Sequence, residues 1–274
     1  MCWRGVPRIL GGLLFLHLLF LHLGFFPGLE GPTPVGAQAI LNVERLSSGT
    51  SEGRHHAVNG RLSLARGNTD IFQLGLNLGL GFRGTTHWVR VLSGLEYLDQ
   101  SNKRLLDNRY LHLRYNRFFS ERVRSFHFLQ IQTNRNLLLE SRSLVGSGLR
   151  GSVFKKDRGF LDVGLGAMYE VEDLRRSALT EGEPARTRTT RLSNLVVGSW
   201  VPGERSRLTA VVYHQPALGA FSDYRLLGEM SLAVSLSIRA ELEVSLDWRH
   251  DSRAPGSLNQ DDVGLKTGFT YRTR

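Results

Sequence analysis

The stretch that decides the fold is Ile71-Phe72-Gln73-Leu74-Gly75-Leu76-Asn77-Leu78-Gly79-Leu80-Gly81-Phe82-Arg83. Its even positions, Phe72, Leu74, Leu76, Leu78, Leu80 and Phe82, are apolar without exception, and its odd positions from Gln73 onward are glycine, amide or arginine. A period of two places these sets on opposite faces of a β-strand. A sandwich whose polar face meets open water has little use for glycine beside charge, whereas a crowded, wet barrel lumen selects for both. The spacing Gly75-x-x-x-Gly79-x-Gly81 is no dinucleotide loop, because it lies inside an alternating strand and opens no helix. Its glycines read as room for bulky inward neighbours.

Outward from this strand the same rule returns. Leu161, Val163, Leu165, Ala167, Tyr169 and Val171 oppose Asp162, Gly164, Gly166, Met168 and Glu170, and Leu242, Val244, Leu246 and Trp248 oppose Glu241, Glu243, Ser245, Asp247 and Arg249. Runs of this kind predict twelve strands, near 56–66, 71–84, 87–98, 105–118, 123–134, 143–155, 160–172, 188–201, 207–215, 225–238, 240–250 and 262–273. Short connections at 84–86, 120–122, 156–159, 202–206 and 239 alternate with longer ones at 100–104, 134–142, 173–187, 216–224 and 251–261. The expected fold class is all-β: a closed antiparallel up-and-down transmembrane β-barrel of about 12 strands, with both termini in the periplasm. Trp88, Tyr97, Tyr110, Trp200, Tyr213, Tyr224, Trp248 and Tyr271 sit near strand ends, as an interfacial girdle requires.

The start of the chain supplies an address. Arg4 and Arg8 precede an apolar stretch from Ile9 to Phe26, followed by Pro27-Gly28 and by Ala37-Gln38-Ala39. This is the layout of a secretory signal peptide with an A-x-A cleavage site, the other reading being an uncleaved membrane anchor. The expected organisation is a cleaved signal peptide over 1–39, a short periplasmic N-terminal segment over 40–55 and an outer-membrane β-barrel over 56–274. Of 274 residues one is cysteine, Cys2, which excludes a disulfide scaffold and a Cys-built zinc site. The 35 Lys plus Arg exceed the 25 Asp plus Glu, and all the cations except Lys103, Lys155, Lys156 and Lys266 are Arg. A basic chain raises nucleic acid as a partner, but export argues against it, and lipid phosphates are the expected anionic neighbours.

Gly67-Asn68-Thr69-Asp70 before a Leu-rich strand, Asp107-Asn108-Arg109-Tyr110, Leu113-Arg114-Tyr115 and Phe118-Phe119-Ser120-Glu121-Arg122 together resemble the salt-induced outer-membrane protein family, a domain of unknown function. The resemblance covers about residues 56–274 and implies a bacterial outer-membrane barrel with no established activity. Gly268-Phe269-Thr270-Tyr271-Arg272 looks like the signal by which the barrel assembly machinery takes up such strands, although the chain ends Thr273-Arg274 where a terminal aromatic is expected.

No motif selects a catalytic, cofactor or metal site. His55 and His56 point to opposite faces of a strand, His250-Asp251-Ser252 cannot align a triad from consecutive residues, and a more distant pair such as His112 or His127 with a Ser is left open. What does stand out is the sign of the inward charges. Arg61, Arg83, Arg114 and Arg150 form a basic wall, and Asp162, Glu170, Glu229, Glu241, Glu243 and Asp247 form an acidic one, relieved by Arg225, Arg249 and Lys266. These are either ion pairs neutralising a packed lumen, with Arg61, Arg83 and Arg114 holding Glu241, Glu243 and Asp247, or a transverse field across a narrow passage. Arg175, Arg176 and Arg186 in the loop 173–187 are the expected contacts to lipid phosphates. The function expected is a structural envelope or narrow-pore barrel, not an enzyme, without cofactors; the alternative is an outer-membrane enzyme or surface receptor acting through its loops or rim.

Overall fold

In a computed structural model, described over residues 52–66, 70–101, 103–238 and 240–271, one antiparallel sheet holds thirteen strands. They are β1 (Gly53–Ala65), β2 (Ile71–Arg83), β3 (His87–Gln100), β4 (Lys103–Phe118), β5 (Val123–Asn134), β6 (Leu139–Lys156), β7 (Gly159–Leu174), β8 (Arg186–Leu192), β9 (Asn194–Gly203), β10 (Ser206–Ala217), β11 (Ala220–Ser235), β12 (Ala240–Asp251) and β13 (Asp261–Tyr271). Neighbours in sequence pair in order, except that β8 and β9 share the place between β7 and β10. Only Ser193 separates them. The register passes through it unshifted, from Met168 opposite Arg191 to Gly164 opposite Leu195, and Ser193 N–H donates to the Gly166 carbonyl at 2.8 Å. Twelve strand positions therefore result. Among the described residues no pairing joins β1 to β13. The expected segment 1–39 and most of 40–55 lie outside the described residues; β1 begins at Gly53, three residues before its expected start.

The faces are inverted relative to a water-soluble sheet. Outward Leu165 is 63% exposed while inward Glu170 is 1% exposed. Leu76, Leu78, Leu113, Leu129, Val145 and Leu149 are exposed on the same outward side, and Arg114, Gln130, Arg150 and Asp162 are buried. The interior is not wholly polar: Phe126, Phe128, Leu144, Met168, Leu195, Val197, Val211, Tyr213 and Leu227 pack into one buried cluster. Glycine makes the space for it. A Cβ on Gly146 would collide with the Phe128 ring, and one on Gly148 with the Phe126 ring and the Leu165 carbonyl.

Two expectations need correction. Of the five long connections, three are tight, because strands run past the predicted ends: β3 and β4 are joined by residues 101–102, β5 and β6 by 135–138, and β10 and β11 by 218–219. Loops 175–185 and 252–260 remain long. They emerge at one end of the sheet, called here the loop end, opposite the turns at 84–86, 119–122, 157–158, 204–205 and 236–239. The girdle is also incomplete. Tyr213 is buried in the interior cluster, and Tyr110 points inward to donate its hydroxyl to Asn77 Oδ1 at 2.9 Å. Trp88 turns inward as well, with the Arg90 guanidinium 3.8 Å from its ring centroid. Trp200 and Trp248 remain outward and exposed.

The loop end carries its own small cap. Asn134 Oδ1 accepts from the N–H groups of Asn136 and Leu137 at 2.9 and 3.1 Å, closing a 3-10 turn over Arg135–Leu137. Leu137, Leu139 and Leu174 are buried together against Leu179. Arg175 N–H donates to the Leu138 carbonyl at 2.8 Å. Gly256 N–H donates to Glu183 Oε2 at 2.9 Å, so the two long loops hold one another.

Candidate functional site

The inward face of β6, β7, β8, β11 and β12 gathers buried charge near the loop end. Arg142 lies near the start of β6, Glu170 and Glu172 near the end of β7, and Asp251 ends β12. Arg225 on β11 is the hub. Its Nη1 donates to Glu170 Oε2 at 2.7 Å and to Glu172 Oε1 at 3.0 Å, its Nη2 donates to Glu172 Oε2 at 3.0 Å, and its Nε donates to Asp251 Oδ2 at 2.9 Å. Arg142 pairs with Glu172 and lies 3.6 Å from Glu170. Arg191 donates to Glu170 Oε1 at 3.1 Å and to Asp223 Oδ1 at 2.8 Å. Charges removed from water are costly unless each finds an opposite partner, and here three guanidinium groups meet four carboxylates, with Arg142 Nη1 buried and making no hydrogen bond.

A second cluster lies nearer the turn end. Asp162 accepts from Arg150 Nε at 2.9 Å, from Arg124 Nη2 at 2.8 Å and from Ser152 Oγ at 2.6 Å. Arg249 pairs with Asp262 between β12 and β13. On β2 to β4 the cations meet aromatic rings. Arg83 lies over Trp88 and Phe118, Arg90 over Trp88, and Arg114, 2% exposed, over Phe126 at 5.1 Å. Arg90 also donates to Asn116 Oδ1 at 3.1 Å.

Of the inward charges expected from sequence, Arg114, Arg150, Asp162, Glu170, Arg225 and Glu229 are buried, while Arg83, Glu241, Glu243, Asp247 and Arg249 are half-buried. The side chains of Arg61 and Lys266 lie outside the described residues. The pairing expected across the interior is corrected for Arg83 and Arg114, which pack on rings; the inward ion pairs described above run around one wall, from β5 to β13. Sequence reasoning missed Arg90, Arg142, Glu172, Arg191 and Asp251. Glu172 continues the parity of Asp162 and Glu170; Arg142 and Asp251 fall in the connections that the sequence predicts at 134–142 and 251–261, and Arg90 and Arg191 lie in strands whose alternation is impure.

The loop arginines separate. Arg186 lies 3.5 Å from Asp173 on neighbouring strand ends, Arg175 is half-buried under the cap, and Arg176 is exposed in a 3-10 turn. Among the distant Ser and His residues, His127 Nδ1 comes within 2.9 Å of Ser147 Oγ, directly opposite in the β5–β6 register on the outward face. His112 instead points inward and its Nδ1 meets Gln130 Oε1 at 3.0 Å. His250, Asp251 and Ser252 part company: they engage Asp261, Arg225 and the Tyr224 N–H respectively.

No curated protein matches the chain. Among solved structures, a NanC porin is similar over 80% of this chain and 98% of its own, at 9% identity and a TM-score of 0.48. A bacterial polysaccharide outer-membrane secretin covers 81% of each chain at 14% identity and a TM-score of 0.44. A Pseudomonas aeruginosa FadL homologue is similar over 79% of this chain and 71% of its own, at 11% identity and a TM-score of 0.35. A family model described as "Protein of unknown function, DUF481" matches residues 62–272, nearly the whole sheet, and the chain belongs to that family.

Proposed function

We propose that the protein is a bacterial outer-membrane β-barrel, closed between β1 and β13 and exported by a signal peptide over 1–39, and that it acts as a structural envelope or narrow-pore barrel without catalysis. The observation that carries this reading is the inversion of the faces: buried charge inside, exposed leucine and valine outside. In water such an outward surface is an aggregation hazard, whereas in lipid it is the ordinary exterior of a barrel. The apolar cluster and the ion pairs fill the interior on the β5–β12 side, which favours a nearly closed lumen over an open channel. Insertion by the barrel assembly machinery and induction by salt are what the last strand and the family resemblance add to the reading.

The test is fractionation of cells followed by gel mobility with and without boiling. The protein is expected in the outer membrane, with an N-terminus at Ile40 and a heat-modifiable mobility. Recovery from the soluble fraction would overturn the proposal.

One observation favours a lipid-acting enzyme instead: the Ser147–His127 contact faces outward, where an acyl ester would lie. Against it, the second ring nitrogen of His127 meets Ser125 Oγ at 3.1 Å rather than a carboxylate, and the surrounding backbone is engaged in the β5–β6 and β6–β7 ladders, which leaves no evident pair of donors for an oxyanion. A fluorophosphonate is therefore expected to leave the protein unlabelled in membranes; labelling that disappears in Ser147→Ala would replace the envelope reading with an enzyme.

A further inference from the structure

On the outward side of β2 to β5, close to the loop end, the apolar surface is hollowed. Phe72, Leu74, Leu95, Tyr97, Leu111 and Ile131 surround a groove of about 940 Å³, with the small residues Ser93 and Gly94 in its lining. Its rim is charged. Asp99 and Arg109 line the groove, and Arg104 stands opposite Asp99 in the β3–β4 register.

Asp107 accepts from Arg104 Nη1 at 3.3 Å and from Arg109 Nε at 3.1 Å. One carboxylate thus serves two guanidinium groups, each of which carries five N–H donors. Asp99 is the second carboxylate of this rim, and with Asp107 shared between them both arginines keep N–H donors for a second anion. Arg104 also lies over the Tyr97 ring, 5.4 Å from its centroid, which fixes the cationic rim to the apolar wall.

A cationic patch in water would accept any anion. Here the apolar groove directly beneath it selects an anion that carries an alkyl chain. We infer that this groove seats a phosphate-bearing acyl lipid of the leaflet on the loop side, with an acyl chain between Leu95, Leu111 and Ile131 and the phosphate held by Arg104 and Arg109 through charge-assisted hydrogen bonds. The inference rests on the barrel reading above. It places the phosphate on the barrel wall rather than on Arg175, Arg176 and Arg186, none of which lines the groove.

The test uses the full chain, folded in detergent and reconstituted into phosphatidylcholine nanodiscs. Three probes are compared by native mass spectrometry of the released protein: lipid A, a diacylglycerol without phosphate, and inorganic phosphate. Retention of lipid A is expected to exceed that of diacylglycerol by about tenfold, the scale set by a pair of charge-assisted contacts, with inorganic phosphate not retained. The double variant Arg104→Gln, Arg109→Gln should lose this preference. So should Ser93→Phe, which fills the groove and leaves every charge in place. Equal retention of lipid A by wild type and both variants overturns the inference, as does retention of inorganic phosphate equal to that of lipid A. A chain that never enters the nanodisc overturns the barrel reading and this one together, whereas entry without preference for lipid A overturns the lipid seat alone.

Discussion

Arg225 shows how much one residue can hold. It contacts Glu170 and Glu172 on β7 and Asp251 on β12, and its removal leaves Asp251 buried without a guanidinium partner and Glu170 and Glu172 with one fewer each. Arg225→Met is expected to lower stability by about 3 to 5 kcal/mol, read as a shift in the urea midpoint of the refolded protein in lipid. Arg176→Met, on an exposed turn, should shift it by less than about 0.5 kcal/mol. Equal effects would mean that the cluster is solvated and contributes little. Gly146 tests packing at the same scale. Gly146→Ala must displace the Phe128 ring and should cost about 1 to 3 kcal/mol, much of which Phe128→Leu in the same chain should restore; at Gly81, where a Cβ would meet its neighbours at 3.6 Å, Ala should be tolerated.

At the level of the element, parity is the quantity to test. Leu76 faces outward on β2 and Asn77 inward. Leu76→Arg should destabilise by about 2 to 4 kcal/mol if it lies near the middle of the bilayer. Asn77→Arg should cost about 1 kcal/mol, the hydrogen bond from Tyr110, and a reversed order would put β2 the other way round. That parity was legible because the apolar positions of β2, β7 and β12 alternate without a break. Strand ends were not legible, since a polar residue just past the apolar band satisfies both strand and loop: Arg142 and Asp251 look like loop residues until Glu172 and Arg225 are seen beside them. The inward aromatics were missed for a related reason. Tyr110 and Tyr213 obey the inward parity of their strands, but aromatics near strand ends suit an interface equally well; Gly94 opposite Tyr110 makes room for that ring, whereas Tyr213 lies between Leu195 and Leu227 and has no such mark. The site fared less well than the fold, because ion pairs between β7 and β11 depend on which strands share a wall, and no local spacing encodes that.

For the molecule as a whole, filling of the interior predicts transport behaviour. Purified protein in a planar bilayer is expected to conduct little, and Phe126→Ala with Phe128→Ala should raise the conductance by opening the apolar cluster. Steady currents of the size an open sixteen-stranded porin gives, from the unaltered protein, would show that the lumen is not closed. Sidedness follows from the longest loop: protease added to intact cells should cut within 175–185, near Arg176, whereas cutting only after access from the periplasm would turn the barrel over. The burial itself is uneven around the sheet. No described residue of β1 is buried, and on β2 only Gly79 is, whereas β4 to β7 bury a side chain at nearly every second position. Strands with so few dry contacts open at a smaller free-energy cost than the body they belong to. Amide deuteration should therefore run through β1 and β2 well before it reaches β6 and β7, so the first hairpin would exchange its hydrogens on the shortest clock in the sheet while the Arg225 wall keeps the longest.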